Sequence, residues 1–235
     1  MPTPVKDRPS MTETVYQKLK RTILLREVAP GTQLVEQTIG KDMKVSRTPI
    51  RNAMNKLKEE GLVQIIPNRG AFVVEPTTEE IKQAFHMRRQ LERMTVEMVC
   101  YTLPEEEIEK LESWIEHEKE TYNTRDILTY IEVNKQFHMT LAYQTNHPFL
   151  IEFTERMLDQ INVYLMLYDV FYDENLDEKK RFKEHEWIVE GLRNRDLARL
   201  QQLVDQHMEE SLTYMGIDLS LPSIPSTLKD DQKSL

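Results

Sequence analysis

Cysteine, glycine and long apolar runs are all scarce in this chain of 235 residues. The single cysteine, Cys100, excludes an intramolecular disulfide, and its place after the apolar stretch 94–99 marks it as a small buried hydrophobe suited to a reducing compartment. No segment is long and apolar enough to span a bilayer, because the richest, 161–172, is interrupted by Asp169. No basic-then-apolar leader is present either, so a cytoplasmic protein without membrane contact is expected. Of six glycines only Gly191 falls between Ala71 and Met215, which excludes a turn-rich β architecture over that span and favours helices. Positive charge is also short, at 31 Lys and Arg against 40 Asp and Glu, a formal net of −9. That balance argues against nucleic acid only if it is uniform, and it is not. Residues 1–75 carry 13 basic against 8 acidic side chains, a net of +5, and residues 76–235 carry 18 against 32, a net of −14. Phosphate attraction depends on the face presented, so the basic third is free to bind DNA while the acidic remainder does something else.

What is present in that basic third is most concentrated at 45–74, VSRTPIRNAMNKLKEEGLVQIIPNRGAFVV. Ser46 is placed to cap a helix through its hydroxyl, and Pro49 fits a first turn whose amides have no intrahelical partner. Ile50, Met54 and Leu57 make one apolar face, and Gly61 stops the helix. Arg47 and Arg51 stand one turn apart near the N-terminus, where a helix lying in the major groove presents side chains to bases and phosphates. Such a pair standing alone is most often a solvated helix face. Here two β-prone runs follow, 62–66 and 71–74, separated by Pro67, Asn68, Arg69 and Gly70 as a turn with a cation at its tip. Upstream, Val15, Leu19, Ile23 and Leu24 mark an amphipathic helix ending near Ala29-Pro30-Gly31, and 34–41 reads as a second short helix. Three helices and a hairpin wing make a winged helix-turn-helix, an α domain with a small β-hairpin.

From Thr78, followed by Glu79 and Glu80 as a start signal, the pattern is helical to about Thr102, where Leu103-Pro104 breaks it. Further helices are expected over 105–122, 127–145, 148–172, 177–194 and 196–214, forming an all-α antiparallel bundle. The division is a tail at 1–10, a DNA-binding domain at 11–75, a helical domain at 76–215 and a C-terminal tail at 216–235, the tails needing no order of their own. The bundle carries a second constellation. NKQFH places Asn134 and His138 at i and i+4 on one helix face, EHEWI supplies His185 and DQHMEE supplies His207. Three imidazoles and an oxygen donor suit a borderline divalent ion such as zinc or nickel, with positions left for water or a small molecule. Taken singly, each histidine is more often a hydrogen-bonded or solvated residue than a ligand, and spacing alone does not decide the matter. His86, His117 and His147 fit no ligand spacing and read as surface or capping residues.

The segment 15–74, with its long helix, PGTQL, VSRTPIR, KLKEEGLV and PNRGAFV, resembles the N-terminal domain of GntR-type bacterial regulators over about sixty residues without a gap. The resemblance implies DNA contact by Arg47 and Arg51, a phosphate or base contact by Thr48, and wing-tip contact by Arg69 and Gly70 near the minor groove. Asn52 stands where that family commonly has Glu, and Gly40 where it commonly has Ala. The rest, 78–214, is similar to the FCD-type effector domain of the FadR subgroup, in which a carboxylate or amide four residues before a histidine, that histidine and two later ones form a metal site. It implies Asn134, His138, His185 and His207 as ligands, with Asn134 replacing the more usual Asp and removing one negative charge. Arg88, in MRRQLE, matches an arginine that the family places near the start of this domain, sometimes facing the effector, and reads equally as a surface cation beside Arg89 and Glu92. The stretch 157–172 of that helix, MLDQINVYLMLYDVFY, lacks the arginines common there and offers Asn162, Tyr164 and Tyr168, of which the tyrosines are the candidate effector contacts beside Arg88. The implied partners are a double-stranded DNA operator, a small carboxylate metabolite and a second copy of the chain.

Two classes of function follow. The first is a ligand-responsive regulator, most simply a metabolic repressor, whose homodimer reads a pseudo-palindromic operator. The second is a metal-dependent hydrolase or hydratase using the three histidines. It needs a general acid or base at the metal, and Glu184 and Glu186 beside His185 are expected to point away, being adjacent on the helix.

Overall fold

The computed structural model describes residues 10–168 and 178–217, without the side chains of 178–181. All but Ser10, Gly216 and Ile217 of the tails expected at 1–10 and 216–235, and the end of the helix predicted to reach 172, lie outside the described residues.

Helix α1 (Met11–Leu24) starts at Ser10, whose hydroxyl accepts from the Glu13 amide at 3.1 Å, and buries Val15, Leu19 and Ile23 on one face. It stops at Leu24 rather than near Ala29, since Arg26 turns into the left-handed region at φ 55°. Strand β1 (Gln33–Leu34) follows, then α2 (Glu36–Met43) and α3 (Arg47–Glu59). The second helix therefore begins two residues later than the pattern predicts, because Gln33 and Leu34 are drawn into a sheet by pairing with Phe72 and Ala71. Ser46 stands at the N-cap of α3 with extended backbone, but its hydroxyl makes no capping bond, contrary to expectation. Gly40 explains its own departure from alanine, since a Cβ there would stand 3.0 Å from the Val45 carbonyl oxygen. Strands β2 (Val63–Ile66) and β3 (Gly70–Val73) form the wing, in register Val63 to Val73 and Ile66 to Gly70, and the sheet order is β1-β3-β2, all antiparallel. The Arg69 amide closes on the Ile66 carbonyl at 3.0 Å over Pro67 and left-handed Asn68, the residue pattern a type II turn requires.

The described residues hold six further helices, α4 (Thr78–Val99), α5 (Glu105–Asn123), α6 (Ile127–Gln144), α7 (Pro148–Leu167), α8 (Glu178–Arg193) and α9 (Leu197–Tyr214). Their ends are written in local chemistry. Thr77, one residue before the predicted cap, forms a reciprocal capping box with Glu80. Asp126 and Asp196 cap α6 and α9, and His147 caps α7 by accepting the Leu150 amide at 3.1 Å, with Pro148 next. Cys100 is buried among Val96, Val99 and Leu103, in a core shared by α4, α5, α6, α8 and α9. No helix among the described residues is long and apolar enough to cross a membrane.

Helix α7 belongs to both halves of the molecule. Its Ile161 packs with Ile81, Phe85 and Met208 inside the bundle, whereas Val163 and Leu167 complete the core of the winged helix with Val15, Leu57 and Leu62. The two halves therefore share a core element rather than meeting only through a linker.

Candidate functional site

The N-terminal half of α3 stands on the surface, with Arg47, Thr48 and Arg51 all exposed and Ile50, Ala53, Met54 and Leu57 turned inward. This is the amphipathic division that the sequence predicts for a helix held from behind and presented outward. Arg51 pairs with Glu36 of α2 at 2.7 Å, leaving its side chain 63 % exposed, so contact with a phosphate or base exchanges one exposed ion pair for another. At the wing tip Arg69 lies over the Phe72 ring, 5.5 Å from its centroid, and Gln33 donates to the Arg69 carbonyl at 2.7 Å. Gly70 beside it has φ +102°, and a Cβ there would stand 3.2 Å from that Gln33 amide nitrogen. A backbone of this kind favours glycine, and the arginine beside it is held by ring and strand.

The bundle brings the three predicted histidines together. His138 comes from α6, His185 from α8 and His207 from α9, all buried, with one nitrogen of each within 4.8 Å of the others. Each ring is held from behind by a carboxylate. His185 Nδ1 donates to Glu118 of α5 at 2.8 Å, His207 Nδ1 to Glu184 of α8 at 2.7 Å, and His138 Nδ1 lies 3.3 Å from Glu92 of α4. An ionised carboxylate only accepts, so these contacts place each ring proton on Nδ1 and leave the Nε2 lone pairs facing one another. The same arrangement orients imidazoles for metals, the outer carboxylate fixing the tautomer and raising ligand basicity.

Burial and charge act together on these groups. Burial holds His138 down at about 3, neutral, with the Arg88 guanidinium adding to that effect and Glu92 only partly opposing it. For His185 burial also works against the charged ring, but the Glu118 carboxylate outweighs it and the pKa is raised. Burial would raise Glu118, yet the facing His185 and hydrogen bonds from His185, Asn134 and Tyr130 hold it at about 2. Glu92, likewise against its burial, is held well below the usual carboxylate range by Arg88 and His138.

Arg88 is not a surface cation. It is 3 % exposed, its Nε donates to Glu92 at 2.6 Å, and its Nη2 stands 2.7 Å from His138 Nε2 and 3.4 Å from His207 Nε2. His185 Nε2 is buried and has no hydrogen-bond partner among the described residues. Asn134 borders the same cavity, and its amide nitrogen donates to Glu118 at 3.0 Å, leaving the amide oxygen as the atom able to ligate. The donor set fits a borderline divalent ion: three oriented imidazole lone pairs, one of them an orphan, and one neutral oxygen.

The cavity beside the histidines is small, about 40 Å³, and Tyr130, Asn162, Ser211 and Tyr214 contribute to its walls. Tyr164 and Tyr168, expected at the effector, are not among its lining residues. Tyr164 packs between the two halves, and the Tyr168 hydroxyl donates to the Pro76 carbonyl at 3.3 Å, because α7 turns that face toward the linker and the winged helix. Glu184 points away from His185, its neighbour on α8, as expected, yet it reaches His207 on α9 and receives the Tyr214 hydroxyl at 3.3 Å. Glu186 lies outside, paired with Lys119 at 2.8 Å. Of the two carboxylates offered for a hydrolytic reading, Glu184 is thus engaged in holding His207 and Glu186 lies away from the histidines. Sequence reasoning did not find Glu92, Glu118, Tyr130 or Tyr214. The available signal was Glu92 standing four residues after Arg88, the spacing of a helical ion pair.

A winged helix with an exposed arginine face, sharing a core helix with a bundle that encloses a polar centre, defines a DNA-binding regulator with a second, all-helical domain. The family model for the FCD domain matches residues 83–210, and that for bacterial regulatory proteins of the gntR family matches residues 11–73. The chain belongs to the GntR family, in the FadR-type arrangement with an FCD domain, and is a transcriptional regulator, not an enzyme. It is similar to the HTH-type transcriptional repressor RspR of Escherichia coli K12, 25 % identical over 203 residues covering 85 % of this chain and 86 % of that protein. The gluconate operon transcriptional repressor of Bacillus subtilis is 23 % identical over 198 residues, 83 % of this chain and 81 % of that one. Among solved structures, E. coli McbR/YncC shares the fold with a TM-score of 0.68 at 19 % identity, over 89 % of this chain and 98 % of that one. A GntR-type transcriptional regulator from Rhodococcus sp. RHA1 does so at 0.68 and 24 % identity, over 89 % and 100 %.

Proposed function

We propose that this chain is a metabolic repressor that binds a pseudo-palindromic operator as a homodimer and responds to a small carboxylate metabolite at or beside a divalent ion in its helical domain. The functional division is a DNA-binding domain at 11–75 and a sensory and dimerising domain at 76–215. Arg47, Thr48 and Arg51 enter the major groove, and Arg69 with Gly70 follows the adjacent minor groove. His138, His185 and His207 hold zinc or nickel through Nε2, with the Asn134 amide oxygen as fourth donor. When bound, such an ion supplies a positive centre for carboxylate oxygens. Arg88 is the effector-facing cation, whereas Tyr164 and Tyr168, placed outside the cavity, take no part in that contact.

The observation that carries this reading is the set of three buried imidazoles, each buttressed by its own carboxylate and each turning Nε2 to a common centre. Three buried carboxylates are costly unless they serve a positive or proton-donating partner, and here each serves one. A route from this centre to DNA lies in α7, where Asn162 borders the cavity and Val163 and Leu167 are built into the winged-helix core. An effector with unequal affinity for two placements of α7 shifts the placement of the heads by that difference. Support for the dimer comes from Met87, Met94 and Met98, which recur at seven- and four-residue steps along α4, and from Tyr101 in the turn after it, all 43–65 % exposed. Large apolar side chains exposed along one helix and its end suit burial against a second copy. The name of the gluconate operon transcriptional repressor supports repression of a metabolic operon.

The test is a thermal-shift screen of small carboxylates with and without zinc, followed by operator-binding titration with each hit. A zinc-dependent hit that also changes operator affinity is expected, since a ligand of the native state raises its stability by mass action. Hits that leave DNA binding unchanged would contradict the sensory role.

A further inference from the structure

Arg88 stands where the three imidazoles meet, and its chemistry is that of a stand-in cation. A guanidinium has N–H donors and no acceptor, so it can satisfy the inward lone pairs of the histidines much as an ion would. Its Nη2 serves His138 Nε2 at 2.7 Å and approaches His207 Nε2 at 3.4 Å, while Glu92 anchors its Nε at 2.6 Å. It does not serve His185, whose Nε2 remains buried and without a partner among the described residues. Metal–imidazole bonds are about 2.0–2.1 Å long. A guanidinium nitrogen in hydrogen-bond contact with the same Nε2 atom therefore cannot coexist with such a bond.

We propose that Arg88 is a built-in competitor for the histidine centre, so that guanidinium and divalent ion occupy it in mutual exclusion. This rests on the metal reading above and adds a regulatory step to it. The guanidinium has to leave His138 and His207 before the three Nε2 atoms can close on an ion, so ion affinity is reduced by the fraction of molecules in which Arg88 points inward. The displaced guanidinium keeps all its donors and its charge and becomes available to a carboxylate ligand. Ion and carboxylate then bind cooperatively, each favouring the arrangement the other needs. The cavity is consistent with this order, since about 40 Å³ admits water-sized occupants but no multi-carbon acid while Arg88 points inward.

The experiment measures zinc affinity by competition with a chromophoric chelator for the full-length protein, Arg88→Met and the double variant Arg88→Met/Glu92→Gln. The double variant guards against misfolding caused by an unpaired buried Glu92, because Gln still offers an oxygen to His138 Nδ1. Each variant is expected to bind zinc about tenfold or more tightly than the parent at the same stoichiometry. The variants are also expected to show a lowered thermal midpoint in chelator that zinc restores. A folded variant that binds zinc with the parent's affinity, or more weakly, overturns the competition while leaving the metal site standing. Absence of zinc binding in the parent and in both variants overturns the metal reading and this inference together.

Discussion

Replacing Glu118 should loosen the histidine centre and the fold at once. Its carboxylate is 1 % exposed and receives His185 Nδ1 at 2.8 Å and Asn134 Nδ2 at 3.0 Å. Glu118→Ala leaves these donors and Tyr130 without that acceptor, and removing one member of a buried pair costs about 3–5 kcal/mol. Glu118→Gln keeps the volume and one acceptor oxygen but turns an amide against a donor, a loss of about 1–3 kcal/mol for the unsatisfied group. For a chain of this size about 2–4 °C of thermal midpoint corresponds to each kcal/mol, so Ala should lower it by roughly 6–20 °C. Loss of the carboxylate behind His185 should also weaken zinc binding by about 10–100-fold. Urea denaturation in chelator separates the first effect from the second, which is read by zinc competition. If both variants remain within about 0.5 kcal/mol of the parent and bind zinc equally well, the carboxylate does not orient His185 and the reasoning fails.

Arg47→Ala and Arg51→Ala are expected to abolish specific operator binding in footprinting while dimer and metal content stay unchanged; unaltered footprints from both would refute the groove assignment. Met94→Asp with Met98→Asp should convert the dimer to monomer in sedimentation, and an unchanged mass would move the interface off α4. The metal-free protein should be most stable near pH 6.5 and lose stability in acid. His138 at about 3 when folded binds fewer protons than in the unfolded chain, so its contribution falls as pH drops from 6.5 toward 3, at a limiting slope of about 1.4 kcal/mol per pH unit. Glu118 acts in the same direction below pH 4.5, whereas the raised His185 adds stability that is lost as pH rises above 6.5. Urea midpoints from pH 7.5 to 4.5 check this, and stability that grows steadily toward acid would refute it.

The helices were legible because their boundaries are local. Asp126, His147-Pro148 and Asp196 cap where the sequence changes, and each apolar stripe has the helical period. The wing was legible for the same reason, through Pro67, Asn68 and Gly70. Strand β1 was not, since two residues carry no period and Gln33 and Leu34 become a strand only by meeting Phe72 and Ala71. The three histidines could be picked out by rarity and spacing, but their buttresses could not. Glu92, Glu118 and Glu184 sit in charge-rich helices where an isolated carboxylate reads as solvated, and only the packing of α4, α5 and α8 around α6 and α9 buries them. Arg88 was ambiguous for that reason, a surface cation by composition and a buried one by packing. Tyr164 and Tyr168 were misplaced because helical periodicity tells which residues share a face but not which neighbour that face meets.

A sensor built on the histidine centre holds an ion there, and metal content measures this without intermediate steps. Elemental analysis of protein prepared without chelator should find about one divalent ion per chain, and His138→Ala/His185→Ala protein of the same dimeric state should hold none. No divalent ion in the parent, or equal amounts in both, would contradict the account.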